Sequence, residues 1–153
     1  MQYSEGTIGR IFALKLEGGE RLPDAVEDFA RDHEVLSAMV IYVGGAGPAT
    51  CLVVGPEENR GDDIVPILHT LGGIQEVLAV GTLFADEFGH PKMHMHAATG
   101  REGTATVGCT RAGVDVWLIG EVILLELAGI GGIRKEDPKT GFEILQFADS
   151  ASK

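Results

Sequence analysis

Apolar residues in this chain fall in short β-branched runs cut by glycine, and only one segment carries a helical period. That imbalance constrains the fold more than any other feature. Thr7–Leu16, Ala38–Val43, Thr50–Val54, Glu76–Phe84 and Val114–Leu127 read as strands. Two shorter strands are expected around His94 and Thr106, and a last one at Phe142–Phe147. Against them stands one amphipathic stretch, where Leu22, Ala25, Val26, Phe29 and Ala30 recur at i, i+3, i+4, i+7 and i+8. Pro23 suits a first helical turn, Asp24 and Glu27 complement the positive helix end, and His33 complements the other. Val65–Leu71 is ambiguous, Glu57–Asp63 reads as a charged loop and Ile130–Thr140 as loop. About eight strands with one or two helices predict the α/β (α+β) class. We expect a single compact domain over 1–153, with a mixed, mostly antiparallel sheet under one or two covering helices.

At 153 residues such a domain buries roughly 70% of its unfolded surface and needs no staple to fold. Met1-Gln2-Tyr3-Ser4-Glu5 has neither a basic start nor an apolar core of a signal peptide. No apolar stretch approaches the roughly 20 residues of a membrane span. Cys51 and Cys109 make no disulfide framework. The expectation is a cytoplasmic protein with reduced thiols and no membrane partner.

Charge narrows the partners. Twelve Lys and Arg against 23 Asp and Glu leave a net charge of −11, which repels phosphate backbones and opposes free-standing nucleic-acid binding. Arg101, Arg111, Arg134, Lys135 and Lys139 are candidates for a local basic patch, diluted by Glu102, Asp115, Glu136 and Asp137. Two glycine clusters, Gly44-Gly45-Ala46-Gly47-Pro48 and Gly129-Ile130-Gly131-Gly132, invite a phosphate-loop reading. Neither runs directly into a helix, and neither carries the Lys-Ser/Thr pair, so the anion-binding mechanism is missing. The first reads as a hairpin or tight connection.

The chemistry concentrates in Met93-His94-Met95-His96. Residues i and i+2 of a strand share a face about 7 Å apart, so His94 and His96 project together while the methionines face the other way. Gly100-Arg101-Glu102-Gly103 is a candidate four-residue hairpin turn. Pairing Thr99 with Thr104 then sets His96 opposite Val107 and His94 opposite Cys109. Two imidazoles and a thiol on one patch form a three-ligand set for Zn²⁺ or another borderline-soft divalent metal. A one-residue slip would send Cys109 to the far face and leave a His pair with no ligand. Both readings stay open at this point. Glu121 and Glu126 lie in an apolar run and are costly to bury unpaired. Each suits a strand-edge or subunit-interface hydrogen bond, and Glu121 is also a candidate fourth ligand or outer partner of the metal. His69 and His90 read as solvated.

With these residues assembled, the chain resembles the plants and prokaryotes conserved (PPC) domain in its stand-alone prokaryotic form. The likeness covers nearly the whole chain. It is carried by Gly9–Leu16, Gly44-Gly45-Ala46, Gly81-Thr82-Leu83-Phe84, His94-Met95-His96-Ala97-Ala98-Thr99-Gly100, Gly108-Cys109 and Val114–Glu121. It implies a compact α/β domain that assembles into a homotrimer, metal-containing in prokaryotic members, with the His pair as ligands. Cys109 stands where relatives carry His, an exchange that keeps zinc competence. In plants the domain is joined to an AT-hook, and DNA-binding labels on prokaryotic relatives follow from that attached arm; no Arg-Gly-Arg core occurs here. The partner-binding Gly-Arg-Phe-Glu-Ile-Leu motif of plant members corresponds to Gly73-Ile74-Gln75-Glu76-Val77-Leu78, which lacks the Arg-Phe.

The leading reading is therefore a homotrimeric metal-binding module. Its alternatives are a DNA-binding or transcription-associated regulator and a small metal-dependent hydrolase. For the last, the sequence offers no His-Glu-x-x-His helix and no clear general base beyond Glu121. No substrate or small-molecule ligand is named by the residues.

Overall fold

Strands dominate, as the short apolar runs require. The computed structural model describes residues 1–58 and 64–147, so most of the expected charged loop at Glu57–Asp63 lies outside the described residues. In chain order the elements are β1 (Thr7–Glu17), β2 (Arg21–Leu22), α1 (Asp24–Asp32), β3 (Ser37–Ala46), β4 (Cys51–Pro56) and β5 (Pro66–Thr70). There follow β6 (Gln75–Ala85), β7 (Pro91–Arg101), β8 (Thr104–Cys109), β9 (Val114–Ala128), β10 (Gly132–Glu136) and β11 (Glu143–Phe147). A single turn of 3-10 helix, Thr110–Ala112, joins β8 to β9.

The main sheet runs β1-β9-β3-β6-β7-β8-β4-β5, with β2 paired separately on β9, and β10 and β11 form their own two-stranded sheet. Among the described residues every strand pair is antiparallel; the parallel contact is one isolated bridge, Asp86–Arg134. No described helix is long and apolar enough to cross a membrane.

Alternation decides what each face does. Val77, Ala79, Leu83, Met95, Ala97, Val122 and Leu124 are buried in the core, where they meet Val26 and Ala30 of α1. The opposite face carries Val43, Leu78, Val80 and Ile123, all exposed, while β10 reaches the same face at Thr82, which Arg134 hydrogen-bonds. Register places the histidines on this second face, with Val80 opposite His96 and Thr82 opposite His94.

Three local expectations are corrected. Gly44-Gly45 is not a hairpin: β3 pairs with β6 and β9 and not with β4. Both glycines lie inside β3 beside a bulge in β9, where a Cβ on Gly44 would stand 2.4 Å from the carbonyl oxygen of Ile119. The stretch read as loop at Ile130–Thr140 contains β10, because Arg134 pairs with Leu145 across a short hairpin. The helix begins at Asp24, after the start of its apolar period, since Leu22 belongs to β2 and Pro23 stands at the N-cap. The ambiguous Val65–Leu71 segment resolves as β5, an exposed edge strand.

Candidate metal centre

The β7–β8 hairpin brings the sequence-predicted donors together by a register different from the expected one. Its turn is the two-residue Glu102-Gly103, with φ of 53° and 80°. Positive φ at both central positions matches the right-handed strand twist, which a two-residue turn of this kind preserves and glycine permits at its second position. The pairing therefore shifts by two: Cys109 stands opposite His96 rather than His94, and Val107 opposite Ala98 rather than His96. An even shift conserves the face of every side chain. The patch survives the correction.

His94, His96 and Cys109 offer ligand atoms that all lie within 4.8 Å of one another. The two Nε2 atoms are 3.2 Å apart. Donors on a tetrahedral zinc, at bond lengths of about 2.0–2.3 Å, are separated by roughly 3.3–3.7 Å. The His pair is close to that separation, and the thiol lies within 4.8 Å of both imidazoles. The donor set also fits chemically, since two imidazoles and one thiolate suit a borderline-soft divalent ion. Both histidines are exposed, whereas Cys109 is only 6% exposed.

Neighbouring elements hold these side chains in place. The Thr110 hydroxyl donates to the Met95 carbonyl at 3.2 Å, a buried bond that fastens the end of β8 to β7 between the two histidines. On the other side, Val53 of β4 lies opposite Cys109. Glu27 of α1 accepts a hydrogen bond from the Met93 amide at 2.8 Å. Burial raises the Glu27 carboxyl pKa from its ordinary value, opposed by that bond. Desolvation, followed by the charges of Arg134, His96 and Arg111, lowers the pKa of His94. The shift favours the neutral imidazole, which is the metal-binding form.

Two cavities flank the triad. One, of about 970 Å³, is lined by His94, Cys109, Thr82, Arg111 and Arg134 among others. The second, of about 550 Å³, is lined by His96 and Cys109 with Val53, Val54, Ile64 and Val107. Pro66, Cys109, Arg111 and Phe142 border both. Arg134 is 6% exposed. Its Nη2 donates to the Thr82 hydroxyl at 2.9 Å, while its Nε is buried without a hydrogen-bond partner. Arg111 sits 5.1 Å over the Phe142 ring.

Glu121 is not brought to this site. It lies on β9 opposite Lys15 and Val43, with β3 and β6 between β9 and β7. Glu126 instead forms a two-point ion pair with Arg10 at 2.7 and 2.8 Å. His33 caps α1, with Nδ1 2.9 Å from the Phe29 carbonyl oxygen. His69 is exposed on β5, and His90 is exposed beside Asp86. The candidate basic patch does not form as one surface, because Arg134 is buried while Lys135 pairs with Glu87 and Arg101 with Glu102. Sequence reasoning noted Arg111 and Arg134 only as surface charge. Their place in the cavity wall depends on β10, whose short mixed sequence carries no period to read.

Comparison with known proteins gives a consistent frame. The chain matches the Plants and Prokaryotes Conserved (PCC) domain over residues 3–128. No curated protein matches it. Its fold is similar to that of a metal-containing protein from Archaeoglobus fulgidus, with a TM-score of 0.79 at 22% identity, covering 95% of this chain and 99% of that one. A plant- and prokaryote-conserved (PPC) protein from Pyrococcus horikoshii gives 0.80 at 20% identity, over 97% of this chain and 99% of that one. A protein from Bacteroides thetaiotaomicron described as a candidate DNA-binding protein gives 0.73 at 17%, over 93% and 97%. With the match spanning most of its length, this chain belongs to the Plants and Prokaryotes Conserved domain family.

Proposed function

We propose that the chain is a homotrimeric metal-binding protein that holds a divalent ion of the zinc class through His94, His96 and Cys109. The observation that carries the reading is the convergence of two imidazole nitrogens and one thiol within 4.8 Å on one hairpin. The similar archaeal fold belongs to a protein described as metal-containing. A zinc ion on three protein donors keeps a further position for water or a ligand and lowers the pKa of bound water to about 7. The residues themselves hold the ion, and Thr110 and Val53 fix the strand that carries the thiol. The carboxylates lining the two adjoining cavities are Glu27, Glu143 and Glu57, which leaves Glu121 without the general-base role that a hydrolase reading gave it.

Support for self-assembly comes from the uncovered sheet face. Val43, Leu78, Val80 and Ile123 are exposed on strands that neighbour one another in the sheet, and large apolar patches on soluble chains mark interaction surfaces. Two further copies of the chain in a closed ring are the proposed occupants. A DNA-binding role draws on the description of the Bacteroides neighbour, but the net charge of −11 opposes it.

Elemental analysis of protein purified without a nickel column, combined with light scattering, tests the reading. We expect close to one zinc-class ion per chain and a mass near three times 16.2 kDa. Metal-free protein with a melting temperature unmoved by chelator would remove the centre.

A further inference from the structure

We propose that the cleft between the triad and the β10–β11 hairpin binds a small carboxylate with an apolar body, its carboxylate held by Arg134 and Arg111. This deepens the metal reading and rests on it, because the ion would share a cavity wall with these two guanidiniums.

The first support is a buried cation with spare hydrogen-bonding capacity. Arg134 is 6% exposed and lines the larger cavity. Among the described residues it makes no ion pair, although the Glu143 charge acts on it from a distance, and its Nε has no hydrogen-bond partner. A buried charge is retained only where something compensates it. Thr82 engages Nη2 through its hydroxyl at 2.9 Å and its carbonyl oxygen at 3.4 Å, which leaves the Nη1 and Nε protons of the guanidinium for a carboxylate.

The second support is the local charge balance. The cavity is lined by Lys92, Arg111 and Arg134 against Glu27 and Glu143. A divalent ion on one thiolate and two neutral imidazoles adds a further positive charge beside them. In a chain of net charge −11, this cavity wall is electropositive. An anionic guest lets the ion and the two arginines occupy one space.

The third is shape. The neighbouring cavity of about 550 Å³ is bordered by Val53, Val54, Ile64, Val107 and Phe142, and it shares Cys109 and Arg111 with the first. Its size lies within the range of about 300–1,000 Å³ usual for small-molecule sites. An acidic head at Arg134 therefore has an apolar chamber next to it for the rest of the molecule.

Benzoate, with acetate and inorganic phosphate as comparisons, tests this by calorimetry on Co²⁺-loaded and metal-free protein. The cobalt–thiolate absorption band reads the metal independently of any ligand. We expect saturable benzoate binding, at least about tenfold tighter than acetate, and weakened about tenfold or more by Arg134→Met with the cobalt band intact. Arg134→Lys keeps charge and bulk but loses the fork, so it should weaken benzoate binding several-fold even if Arg134→Met folds poorly. Equal benzoate binding by wild type and both variants would overturn the proposal. So would phosphate binding without benzoate binding, or no saturable heat from benzoate. If the cobalt band is absent, the metal reading falls; Arg134-dependent benzoate binding to that metal-free protein would still support the carboxylate site, and its absence would overturn it.

Discussion

His96 and Cys109 stand directly opposite each other across the β7–β8 hairpin, one exposed and the other almost wholly buried. The pair joins solvent to interior at the point where β4 meets the end of β8. A donor set built this way has one member packed into the interior and two open to solvent.

Replacing the buried member should cost the most selectivity for soft metals. Cys109→Ser and His96→Gln are each expected to lower zinc affinity by about 100-fold or more, beyond the range seen when only a supporting partner is lost. Competition against a chromogenic chelator measures this. In Thr110→Val the buried Met95 carbonyl loses its hydroxyl donor, so a loss of about 1–3 kcal/mol in stability is expected, together with weaker metal binding.

Acid stability depends on β1 and β9. The Arg10 hydrogen bonds and charge hold the Glu126 carboxyl down to about 2 from an ordinary 4.5. A depressed folded value means the unfolded state binds the proton more readily, so the stabilisation is full above about pH 4.5 and lost as pH falls toward 2. With Arg10 half-exposed, solvent screening keeps the contribution of the pair small. Glu126→Gln should therefore lower the melting temperature by a few degrees at pH 7 and flatten its decline between pH 4.5 and 2. A melting series across pH checks this.

Gly44 permits β3 and β9 to approach closely. Its missing Cβ would lie 2.4 Å from the Ile119 carbonyl oxygen and 2.7 Å from the Tyr42 hydroxyl. Since the first contact is backbone, Gly44→Ala should cost about 1–3 kcal/mol through overpacking, read as a lower urea midpoint with an unchanged slope.

Assembly is predicted to fail when charge enters the bare sheet face. Leu78 is 65% exposed in the single chain, so Leu78→Glu should leave the folded chain intact while breaking the proposed trimer. Sedimentation equilibrium should then return 16.2 kDa, with the far-ultraviolet spectrum unchanged.

What could be read from the chain follows the length scale of the signal. Strands such as β6 and β9 announce themselves by long apolar runs, and strand parity alone places His94 and His96 on one face. The hairpin register was beyond reach because Gly100-Arg101-Glu102-Gly103 admits both a four-residue loop and a two-residue turn. Only the positive φ values at Glu102 and Gly103 decide between them. Cys109 reached the patch in either case, since the two registers differ by an even step. Arg134 stayed hidden for another reason. In Ile133-Arg134-Lys135-Glu136 it looks like one more solvated charge, and it is buried only because β10 pairs with β11 and lays the guanidinium 6.0 Å from the Phe84 ring.

The β10–β11 hairpin lies beyond residues 3–128, the span matched to the family, yet it supplies Arg134 and Phe142 to the cavity walls. The three donors and most of the apolar chamber lie within the matched span, whereas Arg134 and Phe142 are added from beyond it. A change confined to the C-terminal ribbon would therefore alter two wall residues, one cationic and one aromatic, while leaving the donor hairpin as it is.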